Sequence, residues 1–416
     1  MEISFTSVAV VAAVALVAPL AVGLSGLRLP AIVLEIVLGI VVGPQVLGWA
    51  NVDEPVQVMS LIGLAFLLLL AGLEIDFDRL RGRLLRVTSM GFAVSFALAL
   101  VVGFALKAGD LVKSPLLVAI ILSATGLGVI LPILKDAGQT ATPFGQVVVA
   151  GASIAEVTPI VLLSLFFSGK SGGLGAKLAL LVAFAVFVAA VGVTILRLQH
   201  VRRLSATLLR LQDTTAEIRV RGAFLLLALF VVLASKFGLE AILGAFLAGA
   251  TLKLVDRDEM MTHAFFHRKL EAAGFGVFVP FFFVSTGIKL DVSSLVHSGS
   301  ALARVPIFLG ALLVVRGLPA LLYRPFAERG GQLVAAGLLQ ATSLSIPVVA
   351  GQIGVDLGLI RPTNYVALVA AGLLSVVVFP LASLTLLRGR ASGVSGSEPL
   401  SGGAAGIPAA ARVHDA

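Results

Sequence analysis

The sequence predicts an all-α polytopic membrane protein of about thirteen transmembrane helices, built as two inverted repeats that each contain a broken helix. Three observations predict it. Only 12% of the 416 residues are charged and 59% are apolar, whereas a soluble domain is about a quarter charged. Apolar runs of spanning length recur along the whole chain. Short motifs recur in the same order in its two halves.

A transmembrane helix needs about 20 apolar residues. Thirteen runs qualify, at roughly 5–24, 29–49, 56–74, 86–107, 115–135, 144–168, 175–197, 221–236, 238–254, 272–288, 301–323, 331–353 and 364–387. The charged segment 255–271 reads as an amphipathic surface helix. The first run has no basic flank, only Glu2 before it, and therefore reads as a helix rather than a signal peptide. An odd number of spans puts the termini on opposite sides. With the N-terminus outside, 21 of the 30 basic residues fall in cytoplasmic segments and eight outside, with Arg316 in mid-span. The positive-inside rule then gives an outer N-terminus and a cytoplasmic C-terminus, as in a bacterial inner membrane. The net charge of +8 follows from this topology and does not point to nucleic acid. The Gly, Ala and Ser-rich stretch 391–416 reads as a disordered cytoplasmic tail.

Several chemistries find no residues to carry them. There is no cysteine, and the five histidines lie in polar segments or the tail. The HExxH, GxxxxGK[ST] and GxSxG patterns are missing. Neither an enzyme, a cofactor nor a resident metal is expected.

Three motif pairs define the repeat. Leu34-Glu35-Ile36-Val37-Leu38-Gly39 matches Leu239-Glu240-Ala241-Ile242-Leu243-Gly244. Gly72-Leu73-Glu74-Ile75-Asp76 matches Gly287-Ile288-Lys289-Leu290-Asp291, and Ala124-Thr125-Gly126-Leu127 matches Ala341-Thr342-Ser343-Leu344. The offsets are 205, 215 and 217. These pair spans 2, 3 and 5 with spans 9, 10 and 12. A shift of seven spans reverses orientation, so the copies, about 5–168 and 221–387, are inverted, with 175–197 as connector. Such repeats are common in membrane transporters, and interrupted helices at equivalent positions mark their binding sites. Span 5 is interrupted at Ser123, Thr125 and Gly126, and span 12 at Thr342, Ser343 and Ser345. Unwound backbone there would expose carbonyls and partly charged helix ends. The bland reading of either interruption is a kink whose hydroxyls bond back to their own helix.

Four ionisable residues lie well inside apolar spans: Glu35, Glu156, Glu240 and Arg316. Each costs about 2.5–3.5 kcal/mol to insert and is a functional candidate by default. Glu156 has Ser153 and Thr158 nearby, and Pro159 frees a backbone carbonyl beside it. A carboxylate in such a setting can take up a proton or a small dehydrated cation, and the two compete. The alternative is a structural carboxylate neutralised by an arginine. Arg316 keeps its charge and must face a carboxylate, a half-helix C-terminus or water, either as an electrostatic counterweight in a transport site or as a structural ion pair. Glu35 and Glu240 occupy equivalent repeat positions, read as structural or interfacial; either could pair with Arg316.

The assembled residues resemble the monovalent cation:proton antiporter-2 family. The resemblance lies in Leu29-Pro30 through Glu35, Gly39 and Gly43-Pro44; in Leu61 through Gly72-Leu73-Glu74-Ile75-Asp76; in Leu243-Gly244-Ala245-Phe246-Leu247-Ala248-Gly249; and in Pro280 through Gly287. It implies the sodium/proton antiporter-like fold, with two crossed broken helices in a core domain that moves like an elevator against a dimerisation domain. It implies a homodimer exchanging sodium or potassium for protons, with Glu156 as carrier and Arg316 in support. The family usually has aspartate where Glu156 stands, often after another polar residue, and its electrogenic members generally have lysine where Arg316 stands. A single carboxylate beside a permanent cation points to electroneutral exchange. The nucleotide-binding regulatory domain of the potassium-efflux members is not expected here. A sodium-coupled organic anion symporter of the same architecture is the main alternative, and a channel without exchange chemistry the second.

Overall fold

A computed structural model of the chain describes residues 5–25, 30–74, 82–167, 174–199, 217–255, 262–293, 302–328 and 330–388. The tail 391–416 and much of the basic loop sequence used for orientation lie outside the described residues. The first half comprises α1 (Thr6–Ser25), α2 (Ala31–Val42), α3 (Glu54–Leu73), α4 (Gly82–Ala108), α5 (Pro115–Leu122), α6 (Leu127–Asp136) and α7 (Pro143–Phe167). Helix α8 (Leu174–Gln199) follows. The second half comprises α9 (Ile218–Phe237), α10 (Ala241–Val255), α11 (Thr262–Ala273), α12 (Val279–Lys289), α13 (Arg304–Leu312), α14 (Gly330–Gln340), α15 (Ser345–Asp356) and α16 (Pro362–Arg388).

Among the described residues, ten helical segments are long and apolar enough to cross a membrane. Three shorter apolar ones, Ala31–Val42, Pro115–Leu131 and Ala241–Leu254, complete the expected thirteen. Large apolar side chains such as Leu24, Val101, Leu225 and Val186 stand exposed on the outside, where only lipid is a suitable solvent. The chain is a multi-pass membrane protein.

Two boundaries differ from the sequence expectation. The second span stops at Val42 rather than continuing to 49. Gly43 precedes Pro44 and is held extended, with φ −68° and ψ 172°, as the residue before proline prefers. The chain then folds back, with Trp49 and Ala50 donating to the carbonyl of Val42 at 3.0 Å. At 12 residues, α2 spans only about 18 Å. The charged segment 255–271 overlaps the polar helix α11, which runs through a π-helical turn, Gly274–Phe278, into α12.

At the level of whole helices, the packing fits the repeat. Spans 2 and 3 correspond to spans 9 and 10, that is, α2 to α10 and α3 to α12. Helix α2 packs on α12, and α3 packs on α10, so the repeat symmetry maps each contact onto the other. Both crossings require glycine. A Cβ on Gly39 would strike the backbone of Val284 and Gly287, and one on Gly72 would strike Phe246 and Ala250. The facing Gly287 and Gly249 are confined in the same way by Ile36 and by Leu69. Backbones in this contact gain dispersion energy without hydrophobic help, the usual device in lipid.

Helices α1, α2, α3, α9, α10 and α12 form one panel. Helices α4 to α7 and α13 to α16 gather around the two broken spans. The breaks fall at 123–126 and 341–344; the first matches the sequence expectation, and the second takes in Thr342 and Ser343 but not Ser345.

Candidate functional site

The two breaks touch. The backbone N–H of Gly126 donates to the carbonyl of Thr342 at 2.9 Å. The hydroxyl of Thr125 donates to the carbonyl of Gln340 at 2.6 Å. Ser343 is anchored to α16, its N–H donating to the Ser375 hydroxyl at 3.1 Å. Groups that an unbroken helix would satisfy internally are satisfied across the crossing, as a buried unwound backbone requires. Ser123 and Thr342 bond back to their own helices, to Ile120 and Leu338. Ser345 opens α15 and is half-buried.

Pro159 explains how α7 joins the site. It has no N–H, so the carbonyl four residues earlier, Ala155, has no helical partner. The N–H of Thr125 donates to that carbonyl at 3.3 Å. The proline-freed oxygen is therefore spent on holding α7 against the break, one residue from Glu156.

Glu156 itself is half-buried. Its carboxylate lies near the backbone N–H of Leu127, the first residue of α6. A helix N-terminus carries about half a positive charge, so the broken span turns a positive end towards the carboxylate. One of its oxygens, Oε2, is inaccessible and has no hydrogen-bond partner. Ser153, three residues back on the same face of α7, bonds to the Val149 carbonyl at 3.0 Å and keeps its lone pairs. Thr158, two residues on, does not share that face.

Arg316 is fully buried at 2% exposure and sits in a π-helical turn, Leu313–Gly317. Its Nε donates to the Thr125 hydroxyl at 2.7 Å, and Nη2 donates to Gln340 Oε1. Gln340 in turn donates to the Val148 carbonyl at 2.8 Å. Gln340 is the last residue of α14, so the guanidinium lies at a half-helix C-terminus, where positive charge is favoured. Pro319 frees the carbonyl of Val315, which accepts from the Ser95 hydroxyl at 2.8 Å. Among the described residues no carboxylate lies within ion-pairing distance of Arg316. The ion pair considered for it with Glu35 or Glu240 is not formed, because dipoles of the two broken spans occupy the guanidinium instead. Glu240 immediately precedes α10, its N–H donating to the Ser164 hydroxyl at 3.0 Å. Glu35 is buried on α2, in the other panel.

The structure adds residues that the intramembrane charge count passed over. Glu74 caps α3. Its Oε2 lies 4.0 Å from where a Cβ on Gly128 would stand, beside the first turn of α6, and its carboxylate acts electrostatically on Glu156. Glu271 of α11 acts on Glu74 in turn. The signal was present in the Gly72-Leu73-Glu74-Ile75-Asp76 motif, but Glu74 stands at the end of its span and a count of mid-span charges leaves it out. Gln340 was legible as the polar residue preceding the second break. Gly151 was not. A Cβ there would collide with the Tyr323 hydroxyl and lie 2.8 Å from Gln340 Nε2. Gly151→Ala is expected to push Gln340 off Val148, to destabilise the protein by about 1–3 kcal/mol through overpacking, and to depress activity. A lowered unfolding midpoint of the purified variant checks it.

An arginine at a negative helix end and a glutamate near a positive one thus flank the crossing of two broken spans. The chain belongs to the sodium/hydrogen exchanger family, whose transmembrane model matches residues 12–388. Similar proteins include YjbQ of Bacillus subtilis, 28% identical over 91% of this chain and 62% of that one, so the chain spans less than two thirds of that relative's length. The Na+/H+ antiporter of Enterococcus hirae is 26% identical over 85% of this chain and 90% of its own. The solved sodium proton antiporter MjNhaP1 of Methanocaldococcus jannaschii superposes with a TM-score of 0.66 at 18% identity, over 92% of this chain and 99% of that one, which supports the fold. The family resemblance seen in the sequence is borne out.

Proposed function

We propose that the protein exchanges a monovalent cation, sodium or potassium, for protons across a membrane. The observation that carries this reading is Glu156: a carboxylate facing the N-terminal end of α6, with one oxygen buried and without a hydrogen-bond partner, beside the meeting point of two broken helices. Such an oxygen is satisfied by a proton or by a dehydrated cation, but not by both. Cation arrival displaces the proton, and proton arrival displaces the cation. Ser153 and the unwound segments at Thr125 and Gly126 supply neutral oxygens around the cation. Arg316 takes no part in the competition; it pins the two breaks together through Thr125 and Gln340. With one carrier carboxylate and a constant positive charge beside it, exchange is electroneutral.

The panel and the core described above correspond to dimerisation and elevator domains in this reading, and the working unit is a homodimer. With the N-terminus outside, α3 ends and α11 lies on the cytoplasmic side. Glu271 and Glu74 then line an approach to Glu156 that concentrates cations by their field.

The reading is tested with purified protein in liposomes holding a trapped pH dye and an imposed proton gradient. Adding sodium or potassium is expected to collapse the gradient. The half-saturating cation concentration is expected to rise as pH falls, because protons occupy more of Glu156. Collapse that changes with an imposed membrane potential would contradict electroneutrality. No collapse with either cation, in vesicles shown to contain the protein, would contradict exchange and favour the organic anion symporter.

A further inference from the structure

A cavity of about 550 Å³ opens between α1, α2 and the π-helical turn that joins α11 to α12. Its walls are apolar, formed by Ala12 and Leu16 of α1, Ile32 of α2, and Phe275, Val277 and Pro280 beyond them. Leu16 and Phe275 are exposed at its edge, so it is reached from the lipid side. One ionisable residue lines it, Glu35. That side chain is only 5% exposed, and its Oε2 is buried with no hydrogen-bond partner. Arg316, the buried cation of the core, is fully engaged elsewhere.

Small-molecule sites have volumes of about 300–1,000 Å³, apolar walls and a few placed polar groups. This cavity has that size and that lining, and its single polar group is acidic. A bare metal ion would leave the walls unfilled. An anionic headgroup would be repelled by the carboxylate. A ligand that complements both features has an apolar body and one positive charge, and it partitions into the bilayer to reach an apolar mouth. We propose that this cavity binds lipophilic amines, with the ammonium paired to Glu35 and the hydrocarbon against α1 and the π-helical turn. The ion pair forms in a low-dielectric setting, where a charge-assisted hydrogen bond is strong and an unpaired carboxylate is costly. This site is separate from Glu156 and does not depend on the exchange reading.

The experiment measures binding rather than transport, since weak bases dissipate proton gradients by themselves. The full chain is placed in nanodiscs of zwitterionic lipid, with empty nanodiscs to subtract partition. N,N-dimethyldodecylamine is titrated against 1-dodecanol of equal chain length. The wild type is expected to bind the amine saturably and to show a raised unfolding midpoint, with no such response to the alcohol. Glu35→Gln, which keeps shape and removes charge, is expected to weaken amine binding at least tenfold. Ala15→Phe, which keeps the carboxylate and fills the cavity, is expected to do the same. Equal binding of amine and alcohol, or amine binding by Glu35→Gln at wild-type affinity, would overturn the proposal. Cation exchange by Glu35→Gln is expected to stay comparable to wild type, whatever the fate of the amine site.

Discussion

Glu156→Gln is expected to reduce cation-dependent proton movement in liposomes to the background of protein-free vesicles. The amide has the same shape and keeps an oxygen facing the N-terminal end of α6. Stability should change by no more than about 1 kcal/mol, the net worth of an ordinary hydrogen bond. What is lost is the ability to release a proton or to neutralise a cation. Glu156→Asp keeps the charge and shortens the reach by one methylene. It is expected to exchange, at reduced rate, and so to separate charge from packing. Wild-type transport by the glutamine variant would remove Glu156 from the carrier role.

Arg316→Ala is expected to act on stability first and on transport as a consequence. The guanidinium holds Thr125 of one broken span and Gln340 of the other. Removing it leaves the Gln340 amide oxygen without its donor and takes a charge-assisted bond from the Thr125 hydroxyl. Each orphaned buried group costs about 1–3 kcal/mol, so a loss of about 3 kcal/mol is expected, read as a lowered thermal midpoint. Arg316→Lys supplies charge but not the planar fork that reaches both partners, and should fall between wild type and alanine. An alanine variant as stable and active as wild type would show that the crossing does not depend on this residue.

Much of this organisation was legible in the sequence, for definite reasons. Breaks at 123–126 and 341–344 announce themselves because Gly, Ser and Thr interrupt long apolar runs, and apolar runs are what lipid demands. The inverted repeat was legible because its crossings need Gly39, Gly72 and Gly287 at fixed places, and glycine cannot be replaced where backbones touch. The early end of α2 was missed because Gly43-Pro44 lies within an apolar run, and hydropathy does not register a backbone restriction. The partner of Arg316 was out of reach for another reason. Charge counting looks for carboxylates, while the structure satisfies the guanidinium with a hydroxyl and an amide 191 and 24 residues away in the chain. Glu74 was missed because its distance from Glu156 is set by how α3 and α6 pack, and nothing in either segment alone encodes that.

In the proposed exchange, cation and proton compete for one carboxylate, Glu156. The most direct test is calorimetric titration of sodium into purified wild-type protein, repeated in buffers with different ionisation enthalpies to count the protons released. One proton released per cation bound, with release and binding both lost in Glu156→Gln, is the predicted result. Cation binding without proton release, or unchanged release in Glu156→Gln, would contradict it.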